Sequence, residues 1–349
     1  MHITRIRTCQ PPCESPKDWR TSLGQILVAI DTDTGLTGYG VGGGGLSAMH
    51  IVRTVLCDLL IGRDVEPIET RWREMYDATL AFGRKGVAVM AISGVDLALW
   101  DLRAKAAGGS VVQLLGGSRH AVLPTYATVW DDLPAEIVGT HSAFKLHLGK
   151  LSSGDVGPLV DIVRRARDRV GPNVKLMVDA WMKWDVPFTL HFAEAAAGLN
   201  LDWIEEPLAP DDLAGYEKLC RRSPIPIAGG EHEFTAMAFQ ELIERRLHHV
   251  LQPDVCWVGG MTELVKIYTQ ANQAGVRVCP HRGAELWALP ALAALDPQPL
   301  AESGRPWMTW VGGQPPIRNG LMEVPNSPGF GATFSADVLE GLAQSVGEG

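Results

Sequence analysis

The chain of 349 residues reads as an α/β protein: a parallel (β/α) barrel of the TIM type, fronted by an N-terminal α+β cap that a C-terminal segment completes. Three observations predict this. From about residue 120, eight short apolar runs alternate with helical stretches. Before that point the chain is first strand-like and then helical, without alternation. Beyond about residue 305 the rhythm gives way to Gly, Pro and aromatic residues.

Length agrees, being too great for one small core and enough for one large domain plus a cap. The boundaries drawn are 1–118 for the cap, with 306–349 returning to it, and 119–305 for the barrel. A net charge of −9 without a long basic run argues against nucleic acid or an anionic membrane as partner. It leaves room for a small anionic substrate, because a local Lys, Arg or metal overrides the global sign. "MHITRIRTCQPPCESP" lacks the apolar core of a signal peptide, and no stretch has the apolar length to span a bilayer. The nearest, "GVAVMAISGVDLALW", is interrupted by Asp96. Six cysteines with no CxxC are too sparse for a disulfide scaffold. They read as reduced, mostly buried thiols of a cytoplasmic protein, and no zinc site is expected.

Residues 3–40 read as a β-meander. Within "QILVAIDTDTGLTGYGVG" two β-rich runs are joined by a turn at Asp33-Thr34-Gly35. Residues 47–115 read as mostly helical, and "AISGVDLALWDLRAKAAG" is an apolar-striped helix stopped at Gly108-Gly109. The "GVGGGGL" at 40–46 has no following GK[ST] and no GxGxxG frame, so it is expected to be a mobile loop rather than a phosphate cradle. The barrel strands are then "VLPTYAT", "AFKLHL", "VKLMVDA", "DWIEEP", "PIAGGE", "HHVLQPD", "VRVCPH" and "PLAES".

In such a barrel the active site forms at the C-terminal ends of the strands. Six successive runs end there in an acid or a histidine: Asp179, Glu205, Glu231, Asp254, His281 and Glu302. Asp179, Glu205 and Glu231 are each 26 residues apart, one βα unit per step. One such acid alone would be a solvated loop carboxylate or a helix N-cap. Three on consecutive strands would repel one another, and a hard divalent cation resolves this; oxygen-only ligands suit one Mg²⁺ per site. The neighbouring Glu206 points the other way and reads as a supporting or structural acid. Asp254 and His281 end adjacent strands, so the carboxylate can orient the imidazole and raise its basicity. Glu302 closes the ring, within reach of a substrate or intermediate oxygen. Strand alternation puts Lys145 and His147 on one face, Lys145 to hold a substrate carboxylate and His147 as a second acid/base or a polar lining.

These residues resemble the enolase superfamily, mandelate racemase subgroup, and within it the sugar-acid dehydratases of the L-rhamnonate dehydratase type. The likeness rests on "ISGVDLALWDLRAKAAGGSVVQLLGG", "LMVDAWMKWDV", "WIEEPL", "GGEHEFT", "LQPDVCWVGGMTELVKI" and "SPGFG", and covers nearly the whole chain. It implies a modified (β/α)7β barrel, a homo-oligomer, Mg²⁺ held by Asp179, Glu205 and Glu231, an Asp254–His281 dyad, and Glu302 near the intermediate. The implied reaction is a hydro-lyase step on an aldonate, giving a 2-keto-3-deoxy acid through an ene-diolate. A racemase or epimerase using His281 and His147 on opposite faces is the alternative, and a non-catalytic paralogue a more distant one. Two positions depart from the pattern. The second strand carries Lys145-Leu-His147 where the subgroup often has Lys-x-Lys, and Arg282 follows His281 where a Gly is usual. The cap's specificity residues are expected within "CESPKDWRTSLG" and the Gly-rich 40–50 stretch, with Trp19 and Arg20 as contacts for the substrate's distal end.

Overall fold

A computed structural model describes residues 1–12, 24–149 and 154–344. Three antiparallel strands open the chain: β1 (Ile3–Cys9), β2 (Ile26–Thr32) and β3 (Thr37–Gly42). β2 is buried along almost its whole length, and its turn into β3 uses Gly35 at φ +80°, a left-handed conformation that costs Gly nothing. The long helix Val87–Ala106 lies across this sheet. It ends as Gly108 turns left-handed at φ +67°.

The Gly-rich stretch corrects the loop expectation. Gly40 and Gly42 belong to β3, and Gly45 begins the helix Gly45–Ile51. A Cβ on Gly38, Gly40 or Gly42 would sit 2.2, 2.1 or 2.4 Å from the carbonyl oxygens of Ala98, Gly94 and Met90. Those glycines are there because strand and helix backbones touch, a packing reason that the motif search did not weigh. Gly43 reaches the barrel instead, where a Cβ would lie 2.7 Å from Nε1 of Trp257.

Among the described residues the barrel has eight strands: β4 (Val122–Trp130), β5 (Ala143–His147), β6 (Lys175–Asp179), β7 (Ile204–Glu205), β8 (Ile227–Gly229), β9 (Val250–Leu251), β10 (Arg277–Val278) and β11 (Ala301–Ser303). They are parallel and ordered as in sequence from β4 to β10, and β11 closes back on β4 through Ala301↔Thr125 to Ser303↔Ala127. α-Helices follow the second to seventh strands. After β4 there is only the 3₁₀ turn Ala135–Ile137, so the alternation is less regular than the sequence rhythm suggests. One buried residue from each strand or its edge (Tyr126, Ala143, Met177, Trp203, Ala228, Val250, Cys279, Leu300) plugs the interior below the mouth.

Cap and barrel are joined at "VGGMT". Asp96, on the cap helix, accepts 2.6 and 3.0 Å bonds from the hydroxyl and backbone N–H of Thr262, and so caps the barrel helix Met261–Ala274 from outside. Trp100 donates to the Thr262 hydroxyl, Trp72 to the Gly259 carbonyl, and Gly259 N–H to Ser93. Gly260 must lack a side chain, since a Cβ would meet Asp96 at 2.3 Å. The C-terminal residues fold back on both parts. Leu321–Glu323 pairs with β4, Phe334 packs on Tyr39, and the helix Ala336–Gln344 lies against β1. No helix among the described residues is long and apolar enough to cross a membrane. The described cysteines are all free thiols.

Candidate active site

Strand register sets the level of the mouth. His147, Asp179 and Glu205 are paired across β5, β6 and β7. Glu231 and Asp254 follow the ends of β8 and β9, His281 follows β10, and Glu302 lies within β11. His147, Asp179 and Glu205 are thus the last residues of their strands, Glu231, Asp254 and His281 sit just beyond theirs, and each chemistry-bearing side chain is carried at or near the end of a rigid element. Asp179, Glu205, Glu231, Asp254 and Glu302 are all buried.

Lys145 stands at the centre of one side. It is 1% exposed, bonds Glu205, lies 2.9 Å from Glu302 Oε1 and 3.6 Å from Asp179 Oδ2. Burial alone would lower its pKa, but Glu205, Glu302 and Asp179 together raise it well above the lysine range. It is therefore a fixed cation. Glu205 spends its other oxygen on Trp203 Nε1 at 3.1 Å and Gln252 Nε2 at 2.5 Å. Glu302 takes the Thr128 hydroxyl at 2.5 Å on one oxygen and the Arg282 N–H at 3.0 Å on the other.

His281, just beyond β10, borders the same acids. Its Nδ1 is 2.7 Å from Asp254 Oδ2, and its Nε2 is 3.5 Å from Glu231 Oε2. Burial opposes its protonation; Glu231, the bond to Asp254 and Glu302 outweigh burial and lift its pKa to about 9. Asp254 goes the other way. Burial would raise it, but Arg282 and the bond from His281 hold it down at about 2.

The candidate ligands do not close on one point. Among the described residues, the one group of three with ligand atoms within 4.8 Å of one another is Glu206, Glu231 and His232. Glu206 sits at φ +37°, buried, with His232 Nδ1 2.7 Å from its Oε2. The Lys145 ammonium pairs with Asp179 and Glu205.

His147, opposite Asp179 in the register of β5 and β6, borders an aromatic cluster. Its ring stacks on Trp130 at 5.7 Å and faces Trp181 at 6.1 Å, and Trp130 meets Trp307 edge-on at 5.6 Å. An aromatic wall thus rises over the first three strands. Trp19 and Arg20 lie outside the described residues, but Gln25, which follows them, bonds the Trp307 carbonyl and the Trp310 indole at 2.8 and 2.7 Å.

Sequence reasoning missed four contributors. Thr128, within β4, and Gln252, just past β9, are polar residues in apolar runs, a detectable signal. His232 is adjacent to Glu231 and was passed over for it. Arg282 was noted as a departure, with no hint that its side chain would bind Asp254.

Residues 133–338 match the family described as enolase C-terminal domain-like, and residues 7–116 the mandelate racemase/muconate lactonizing enzyme N-terminal domain. The chain belongs to this family of enzymes. Within the enolase superfamily it is 35% identical to an L-rhamnonate dehydratase of Saccharopolyspora erythraea over 330 residues, covering 90% of this chain and 84% of that protein. A rhamnonate dehydratase from Gibberella zeae complexed with Mg superposes with a TM-score of 0.87 at 27% identity, covering 98% of this chain and 96% of that one. A 3,6-anhydro-D-galactonate cycloisomerase from Zobellia galactanivorans gives 0.87 at 27% identity over 98% and 99%. The superfamily fold thus carries more than one reaction.

Proposed function

We propose that the protein is a Mg²⁺-dependent sugar-acid dehydratase that converts an aldonic acid, L-rhamnonate or a close analogue, to its 2-keto-3-deoxy acid. One observation carries the reading. A histidine oriented by a buried aspartate presents its other ring nitrogen to a mouth in which buried carboxylates outnumber the cations.

That excess of acid is what fits the metal. Burial pushes Asp179, Glu205 and Glu231 all above the usual carboxylate range, with only Lys145 and the neighbouring histidines to offset them. Asp179, Glu205 and Glu231 would hold the ion, and His232 and Glu206 stand behind Glu231. When bound, Mg²⁺ would supply positive charge to the substrate carboxylate, whose α-proton is otherwise barely acidic.

The chain's own residues do the rest. Lys145, buried and permanently charged, adds a second cation where negative charge develops on the carboxylate oxygens. A cation bound at Glu231 would cancel the attraction that lifts His281, and in its neutral form His281 Nε2 removes the C2 proton, with Asp254 holding the ring and stabilising the imidazolium. The C2 electron pair forms the C2–C3 double bond as the C3–O bond breaks. Protonated His281 returns its proton to the departing 3-hydroxyl, which leaves as water. The remaining enol tautomerises to the 2-keto acid. Glu302, held by Thr128 and Arg282, offers a carboxylate to a substrate hydroxyl.

The test is a screen of aldonic and aldaric acids with Mg²⁺ in D₂O, read by NMR. The expected result is loss of one substrate with a 2-keto product, abolished in His281→Asn by about a thousandfold or more. Deuterium at C2 with inverted configuration would make the enzyme an epimerase instead. Undiminished turnover by His281→Asn would refute the dyad.

A further inference from the structure

Arg282 occupies a position where the resemblance calls for glycine, and its backbone shows why glycine would be at home there. Its φ of +51° is left-handed, a conformation that strains any residue with a Cβ. The side chain is nonetheless built into the protein. Its Nε and Nη2 lie 3.1 and 2.6 Å from Asp254 Oδ2, the same oxygen that faces His281 Nδ1 at 2.7 Å. The other oxygen, Oδ1, accepts the Cys256 N–H at 2.7 Å. The guanidinium lies 5.4 Å from the Trp257 ring centroid, and that ring is 5.6 Å from His281. The stem crosses Gly304, where a Cβ would be 2.7 and 2.8 Å from Arg282 Cγ and Cδ. Meanwhile the Arg282 N–H donates to Glu302 Oε2 at 3.0 Å, an aim that the left-handed backbone permits.

We propose that Arg282 is a positioning residue: its guanidinium fixes the Asp254 carboxylate so that Oδ2 points at His281, while its main-chain N–H fixes Glu302. A carboxylate on a short side chain can rotate about its last bond. With a backbone donor on one oxygen and two guanidinium donors on the other, that rotation is blocked. Asp254 of the dyad, just past the end of β9, and Glu302, in β11, are then both held by one residue that follows the strand between them, and Gly304 is kept small to let the stem pass. This rests on reading His281 and Asp254 as the base dyad.

Arg282→Gly removes the guanidinium, relieves the backbone and keeps the N–H to Glu302. It is expected to fold, to lower kcat about 10- to 100-fold, the usual effect of losing a residue that orients a reacting group, and to leave KM within a few-fold. Guanidinium added to the solution should restore part of kcat. Arg282→Lys keeps the charge without the fork and should fall between the two. Gly304→Ala, which displaces the stem but removes no charge, should reproduce the kcat loss. A substrate-free readout stands beside these. The ¹H NMR resonance of the His281 Nδ1–H, downfield in the wild type, should move upfield in Arg282→Gly and return with guanidinium. An unmoved resonance in both Arg282→Gly and Gly304→Ala overturns the proposal, as does wild-type kcat in both. Because the resonance is read without substrate, an inactive wild type would count against the dehydratase reading alone.

Discussion

The cap–barrel joint and the barrel mouth both bury carboxylates, and they treat them differently. Asp96 at the joint is fully buried, yet its partners are neutral and complete: a hydroxyl, a backbone N–H and a helix N-terminus. Burial raises its pKa to about 7, although the Thr262 bonds favour the charged form. At the mouth, Asp179, Glu205, Glu231 and Glu302 crowd around Lys145 and His281 with more negative charge than those cations offset. A buried acid that is satisfied holds the fold together. A buried acid left in excess is a cost, retained because something charged binds there.

Removing each acid should therefore have opposite consequences, and the largest effect belongs to the mouth. Asp179→Asn keeps an oxygen for the Trp181 N–H, which Asp179 accepts at 2.9 Å, and deletes one charge. Turnover should fall about a thousandfold or more. Thermal stability without metal should hold or rise, and the stabilisation conferred by Mg²⁺, about 2.7 kcal/mol at a hundredfold excess over Kd, should vanish. Asp96→Ala should do the reverse, costing about 2 kcal/mol in urea denaturation while leaving kcat within a few-fold. If Asp179→Asn destabilised the metal-free protein as much as Asp96→Ala, the distinction between the two regions would be lost.

Histidines sharpen the same contrast. His281, among carboxylates, is lifted to about 9, whereas His248, packed on Tyr216 at 4.5 Å, is lowered to about 4 by burial despite the attraction of Glu206. His248 Nδ1 has no hydrogen-bond partner among the described residues. The unfolded chain takes up a proton at this residue below pH 6.5, and the folded chain does not until about pH 4. Stability should thus be full above 6.5 and decline as pH falls to 4, by roughly 3 kcal/mol from this group alone. His248→Gln should flatten the denaturation free energy across that window. An unchanged slope would show that His248 is protonated in the native state.

The barrel was legible because its signals are periodic. Strand–helix alternation and the 26-residue spacing from Asp179 to Glu205 to Glu231 survive without any knowledge of contacts. The Gly-rich 40–46 stretch was misread because glycine marks both flexible loops and close backbone approach, and only the helix above β3 tells them apart at Gly40 and Gly42. Lys145 was placed on the right face, but its three carboxylate partners come from β6, β7 and β11, distances in sequence that no local pattern encodes. Arg282 was hidden for another reason: its partner Asp254 lies 28 residues earlier, and the left-handed turn that joins them leaves no compositional trace.

The smallest expected effect concerns the wall facing the charged mouth. Trp130 is 38% exposed, stacked on His147 and edge-on to Trp307, so one face of the mouth is aromatic where the other is ionic. An aldonic acid has a carboxylate at one end and an uncharged, hydroxylated carbon chain at the other, whose C–H faces can lie on an aromatic ring. If the carboxylate lies toward Lys145, the carbon chain falls toward Trp130, whose indole gives it contact area without a competing charge. Trp130→Ala should then raise KM about fivefold, on the order of 1 kcal/mol, with kcat nearly unchanged, because the lost contact is made equally in ground and transition states. The penalty should be greater for a substrate ending in a methyl group than for one ending in a second carboxylate. A fall in kcat with KM constant would instead place Trp130 behind His147, acting on the chemistry rather than on the substrate's far end.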